Sequence, residues 1–228
     1  MAQESRGNKV SKRLFVAVAL TSIVSLSSAY PQSMDFLELV KSGTPQRVKA
    51  AIDKGVDVNI GDSDGWTPLM AAAGYNPNPE VITMILKAGA DVNAWDALSM
   101  TALNWAAMHN QNPAVITALV KAGADLEARD IAGDTPLMFA SWYNSNPEVV
   151  HTLLRAGADP RAQDHTDETA LMLAARYGNH SEDLTMLLEA GADAKAKDKL
   201  GMTAFDYAKT NEKLRGTAGF RMLQAASQ

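Results

Sequence analysis

Five glycines, at positions 55, 89, 123, 157 and 191, stand 34 residues apart. Each sits in a variant of one phrase, clearest as Lys87-Ala88-Gly89-Ala90-Asp91-Val92-Asn93. It returns as Lys121-Ala122-Gly123-Ala124-Asp125, Arg155-Ala156-Gly157-Ala158-Asp159 and Glu189-Ala190-Gly191-Ala192-Asp193, after a worn first copy, Lys54-Gly55-Val56-Asp57-Val58-Asn59. A constant period of this size marks a stack of like units, each able to bury its apolar face only against its neighbours. A chain of 228 residues has room for one or two compact domains, but the period makes a repeat array the expected description.

The local grammar is clearest in residues 62–95. Asp62-Ser63-Asp64-Gly65 is a turn sequence. Thr67 is placed to cap a helix whose first residue is Pro68. Asn76-Pro77-Asn78-Pro79-Glu80 breaks that helix and starts another, with Asn78 as cap and Glu80 near the positive end of the helix dipole. Val81, Ile82, Ile85 and Leu86 form one apolar stripe, repeated by Val115, Ile116, Leu119 and Val120 and by Val149, Val150, Leu153 and Leu154. Gly89 supplies a left-handed stop. Ahead of the first full copy, a helix capped by Ser33 and ended by Gly43, then one from Thr44 to Gly55, predict a pair that lacks the opening turn. Thr203-Ala204-Phe205 and a helix around Phe220 and Leu223 close the array. Six helix pairs are expected, the first and last as caps, with Leu69, Leu103, Leu137, Leu171 and Phe205 in the core.

Thr67-Pro68-Leu69, Thr135-Pro136-Leu137, the recurring Ala-Gly-Ala-Asp and Asp91-Val92-Asn93 resemble ankyrin repeats, in phase over nearly all of residues 30–228. The resemblance implies an all-α fold, a solenoid of stacked antiparallel helix pairs with projecting β-hairpin-like finger loops. It divides residues 30–228 into an N-cap (33–61), four repeats (62–95, 96–129, 130–163 and 164–197) and a C-cap (198–228). It further implies binding of other proteins on the concave side and no catalysis. Two departures stand out. The period is one residue longer than the family's, and the extra residue falls in the helix–helix turn. The histidine that the family carries after the leucine is replaced by Met70, Asn104, Met138, Met172 and Asp206, so methionine packing is expected in place of its inter-repeat hydrogen bonds.

Residues 1–29 have a different character. Arg6, Lys9, Lys12 and Arg13 precede the apolar run Leu14 to Leu26 and the small residues Ser27-Ser28-Ala29, the pattern of a cleaved secretory signal peptide. The run falls short of the ~20 residues that span a bilayer. Cleavage after Ala29 and a periplasmic or secreted location are the expectation; the competing reading is an uncleaved anchor. With no cysteine, the chain has neither a lipoprotein attachment point nor a disulfide framework. Residues 30–228 carry 17 basic and 25 acidic side chains, a net charge of −8. An acidic body repels phosphate and argues against nucleic acid as partner. The basic stretch with Lys195, Lys197, Lys199, Lys213 and Arg215 is expected to be a solvated face of the last units.

No catalytic constellation is legible. His109, His151, His165 and His180 fall at different points of the repeat, and no nucleophile elbow, Walker loop or dinucleotide fingerprint occurs. Asp62-Ser63-Asp64-Gly65 resembles the start of a calcium loop, but the closing glutamate would fall on Ala73. No cofactor or metal is expected. The candidate binding residues are those that the fold does not require. At the ends of the first helices, Tyr75, His109, Tyr143 and Tyr177 recur in phase, flanked by Met108, Trp142 and Arg176. These are residue types enriched at interface hot spots. Along the finger tips, Trp66, Trp95, Leu98, Met100, Ile131 and His165, with Leu200, form a second row. Trp105 and Phe139 are expected in the core. Units spaced by ~10 Å would give a groove of ~60 Å, ample for a standard interface of ~1,600 Å². The expected partner is another protein, one with a basic patch; the alternative is a glycan or small ligand of the cell envelope held on the aromatic stripe.

Overall fold

The computed structural model describes residues 31–228, with side chains from Asp35 onward; the candidate signal segment lies outside the described residues. Within them the chain forms twelve helices and no strand, only isolated bridges between Trp95 and Thr101 and between Gln163 and Thr169. The helices fall into six pairs: α1 (Pro31–Ser42) with α2 (Pro45–Asp53), α3 (Pro68–Tyr75) with α4 (Pro79–Lys87), and α5 (Ala102–His109) with α6 (Pro113–Lys121). Then follow α7 (Pro136–Tyr143) with α8 (Pro147–Ala156), α9 (Ala170–Tyr177) with α10 (Ser181–Glu189), and α11 (Ala204–Ala208) with α12 (Ala218–Ala226). First helices pack on first helices from α3 to α11, and second helices on second helices from α2 to α12. The result is a two-layer all-α solenoid.

Each first helix from α3 to α11 starts where a threonine hydroxyl accepts from the backbone N–H three residues on. Thr67, Thr101, Thr135, Thr169 and Thr203 do so at 3.3–3.5 Å. In four of the five the third residue reaches back to close a capping box: Met70, Asn104, Met138 and Asp206. Three of the second helices are capped by Asn78, Asn112 and Asn146, each with proline next. Gly89 adopts φ 96°, the left-handed stop expected of it.

The finger turns share one device. Asp62, Asp96, Asp130, Asp164 and Asp198 each use Oδ1 to accept two backbone N–H groups, two and four residues on, at 2.7–3.0 Å. In the first finger this carboxylate oxygen is therefore occupied in closing the turn, where a calcium loop would turn it to an ion. Neighbouring fingers are joined backbone to backbone, Ala97 N–H to Asp64 O, Ile131 to Leu98, His165 to Ala132 and Lys199 to Thr166, at 2.7–3.0 Å.

Leu69, Leu103, Leu137 and Leu171 are core, and so is Phe139. Three expectations are corrected. Phe205 is half-buried, its ring against Phe220 at 5.5 Å, because its own helix α11 has a first-helix neighbour on one side only, α9, and packs also on α12. Trp105 is half-buried too. Helix α1 begins at Pro31, so Ser33 lies inside it and is not its cap.

The hydrogen bonding between repeats also differs from expectation. It is present, and asparagines of the helix–helix turns carry it. Asn76 Nδ2 donates to Val40 O and Gly43 O, Asn110 to Ala73 O and Asn76 O, Asn144 to Ala107 O and Asn110 O, and Asn211 to Ala175 O and Gly178 O. A helix leaves its last carbonyls without partners; here the next repeat supplies them. A parallel ladder at the finger bases runs through Asn59, Asn93, Glu127 and Arg161.

Candidate functional site

The C-terminal ends of the first helices lie side by side because those helices stack in register, so residues one period apart become neighbours. Tyr75 and His109 stack at 5.3 Å, and His109 stacks in turn on Trp105 at 5.7 Å. Trp66 stands against Trp105 at 5.7 Å and edge-on to Tyr75 at 6.2 Å, with Lys41 Nζ 4.8 Å from its ring centre. A second group forms around Trp142, which stacks on Tyr143 at 4.2 Å and on Tyr177 at 5.0 Å, while Phe139 stacks beneath Tyr143 at 6.3 Å. Tyr75, His109, Tyr143 and Tyr177 are exposed, and Trp142 is half-buried. Partial burial raises the pKa of the Tyr75 phenol and lowers that of His109, favouring the neutral form of each.

Arg176 ends the row as a fixed part of the surface. Its guanidinium lies 3.5 Å over the Tyr207 ring, pairs with Glu168 at 2.5 Å and comes within 3.8 Å of Asp198. The Tyr207 hydroxyl donates to Asp198 Oδ2, and burial together with that bond raises the Tyr207 pKa. Trp105 is held in the same way, its Nε1 donating to Asp96 Oδ2 at 2.8 Å. One finger aspartate thus closes a turn with one oxygen and anchors an aromatic ring with the other.

Two candidates are withdrawn from the surface. Met100 is 0% exposed and Met108 5%, both inside the stack. Met100 ends its finger turn by donating its N–H to Asp96, which points the side chain inward. Met108 is enclosed where the first helices meet. Of the finger row, Trp95 (69%), Ile131 (59%) and Leu200 (65%) are the open apolar tips; His165 is exposed, and Leu98 and Trp66 are half-buried. Lys41 and Trp105, both half-buried, contact the aromatic row, and the buried rings of Phe139 and Tyr207 support it from beneath; none of the four was legible in that role. Trp105, Phe139 and Tyr207 share one repeat position, which was the available signal. Beneath the second finger lies an open recess of about 390 Å³ that includes Trp95, Asp125 and Arg129, but Arg129 is already bonded to Gly133 O and Gln163 O. Among the described residues no group of side chains could hold a metal ion, and no helix is long and apolar enough to cross a membrane.

Stacked helix pairs with joined fingers and an aromatic row define a helical repeat solenoid, a class that works by presenting an extended surface. The family model described as ankyrin repeats (3 copies) matches residues 36–130, 78–164 and 137–216. The chain belongs to the ankyrin-repeat family. Repeats of this family are protein–protein interaction modules and are in general not catalysts. No curated protein matches the chain significantly.

Proposed function

We propose that this chain is a non-catalytic protein-binding module, exported to the periplasm or secreted, that grips its partner through the concave aromatic row and the open finger tips. The carrying observation is the in-phase row Tyr75, His109, Tyr143 and Tyr177, exposed on a scaffold whose own cohesion uses other residues. Ring stacking favours a protein over a glycan. Trp142 has two nearly parallel neighbours within 5.0 Å, so its faces are turned to other rings and not left open to a sugar. The net charge of −8 over residues 30–228 favours a partner with a basic patch, and such binding weakens with added salt. Export rests on the pattern of residues 1–29 and is tested by sequencing the mature N-terminus, with Tyr30 expected first.

The binding test is capture of partners from an envelope extract by wild-type protein and by a Trp142→Ala, Tyr143→Ala double variant. Truncating two hot-spot rings should weaken capture by about 2–4 kcal/mol, at least ~30-fold, with the helical circular dichroism unchanged. Unchanged capture would remove the aromatic row from the function. Binding to peptidoglycan fragments that the double variant loses would move the reading to a glycan.

A further inference from the structure

Three consecutive second helices share a core valine in the first turn: Val81 in α4, Val115 in α6 and Val149 in α8, each 0% exposed. At the same repeat position α10 carries Asp183, a carboxylate only 2% exposed. Its Oδ1 has no hydrogen-bond partner. The start of α10 differs in a second way, since His180 makes no side-chain cap bond where Asn78, Asn112 and Asn146 do. Helix α12 closes tightly over this end. A Cβ at Gly219 would stand 2.1 Å from Ser181 O and 3.1 Å from Leu184 Cβ, so the two backbones meet on either side of Asp183.

We propose that Asp183 is a protonation switch for the C-terminal cap: α12 docks firmly on α10 while the carboxyl is protonated and loosens when it ionises. A neutral acid at a valine site costs little, whereas an unpaired buried charge must draw water into the seam or open it. Burial, and after it the charge of Glu182, pushes the Asp183 pKa up to about 7. The elements packed against α10 offer no relief. Arg221 on α12 donates to Gly216 O, Lys213 ahead of α12 donates to Asn179 Oδ1, Arg176 on α9 is held by Glu168, His151 on α8 faces Glu148, and His180 caps α10 without a side-chain bond. Arg155 on α8 is exposed, and Glu182 and Glu189 on α10 itself are of like charge.

The direction follows from linkage. The docked state binds the proton more tightly than the released one, whose carboxyl returns towards 3.8. Docking is therefore strongest below pH 4, weakens as pH rises towards 7 and levels off above it. Three pK units set an upper limit of about 1,000-fold on the change in the docking equilibrium.

Hydrogen exchange of the full chain, measured from pH 5 to pH 8 and corrected for intrinsic rates, reads this directly. Protection of residues 218–226 should fall by at least about 10-fold over that range, while that of α6 stays constant. Asp183→Val, which restores the residue of the other repeats, and the isosteric Asp183→Asn should both abolish the change. A wild-type α12 whose protection ignores pH, or a D183V protein that keeps the dependence, overturns the switch.

Discussion

Asn110→Ala should be among the most destabilising single changes in the array, out of proportion to the few atoms removed. Asn110 is 3% exposed and makes three bonds: Nδ2 to Ala73 O at 2.8 Å and to Asn76 O at 2.9 Å, and Oδ1 from Asn112 N–H at 2.9 Å. Ala73 O has no intrahelical alternative, because the residue four on is Pro77, which lacks an N–H. The variant therefore strands two buried carbonyls and one amide. At about 1–3 kcal/mol for each unsatisfied group, less whatever water recovers, the loss is ~4 kcal/mol. That is a large share of a typical 5–15 kcal/mol. The matched control is Asn93→Ala, which loses bonds to Gly123 O and from Asp125 N–H at an exposed finger base, where water replaces them. Its cost should stay below about 1 kcal/mol. Guanidinium unfolding followed by circular dichroism compares the two, with hydrogen exchange in α3 and α5 guarding against stepwise unfolding of the array. A cost for N110A no larger than for N93A would refute the assignment of inter-repeat cohesion to the buried asparagines.

Two further changes test other parts of the frame. Arg176→Ala removes the cation from between Glu168 and Asp198 and should cost about 3 kcal/mol in thermal unfolding. Arg176→Lys keeps the charge but not the flat guanidinium over Tyr207, and should recover less than half of that loss. At the finger tips, Ser99 holds φ 60° where the equivalent positions Gly65 and Gly133 use glycine. Ser99→Gly relieves that strain and should stabilise the protein by about 0.5–1 kcal/mol, read as a raised melting temperature.

The legible part of this fold is the part whose causes are local. A threonine caps the amide three residues on, a proline starts a turn, and Gly89 stops one, so Thr67, Asn78 and Gly89 could be assigned from short stretches of chain. The 34-residue period then implied stacking. Met100 and Met108 were misplaced for the opposite reason. Whether either side chain meets solvent depends on the helices and fingers that enclose it, and periodicity places a residue along the chain without saying which of its sides is covered. The asparagine ladder is not legible in the sequence on the same ground: its bonds join residues 33–37 apart, and each asparagine taken alone looks like a turn former.

Asp183 marks where the two kinds of information divide. The unit, its length, its caps and its count are properties of neighbouring residues, because capping bonds and glycine stops act within one turn of helix. Aromatic residues recurring at one position likewise mark a row in the sequence itself. The tertiary structure alone decided which rings stack on which, that Arg176 is held within the surface, and that a finger aspartate anchors Trp105. It also decided that a carboxyl at a position held by valine in other repeats is buried. Those outcomes depend on what a distant repeat brings within a few ångströms, and solvation is a property of the assembled stack.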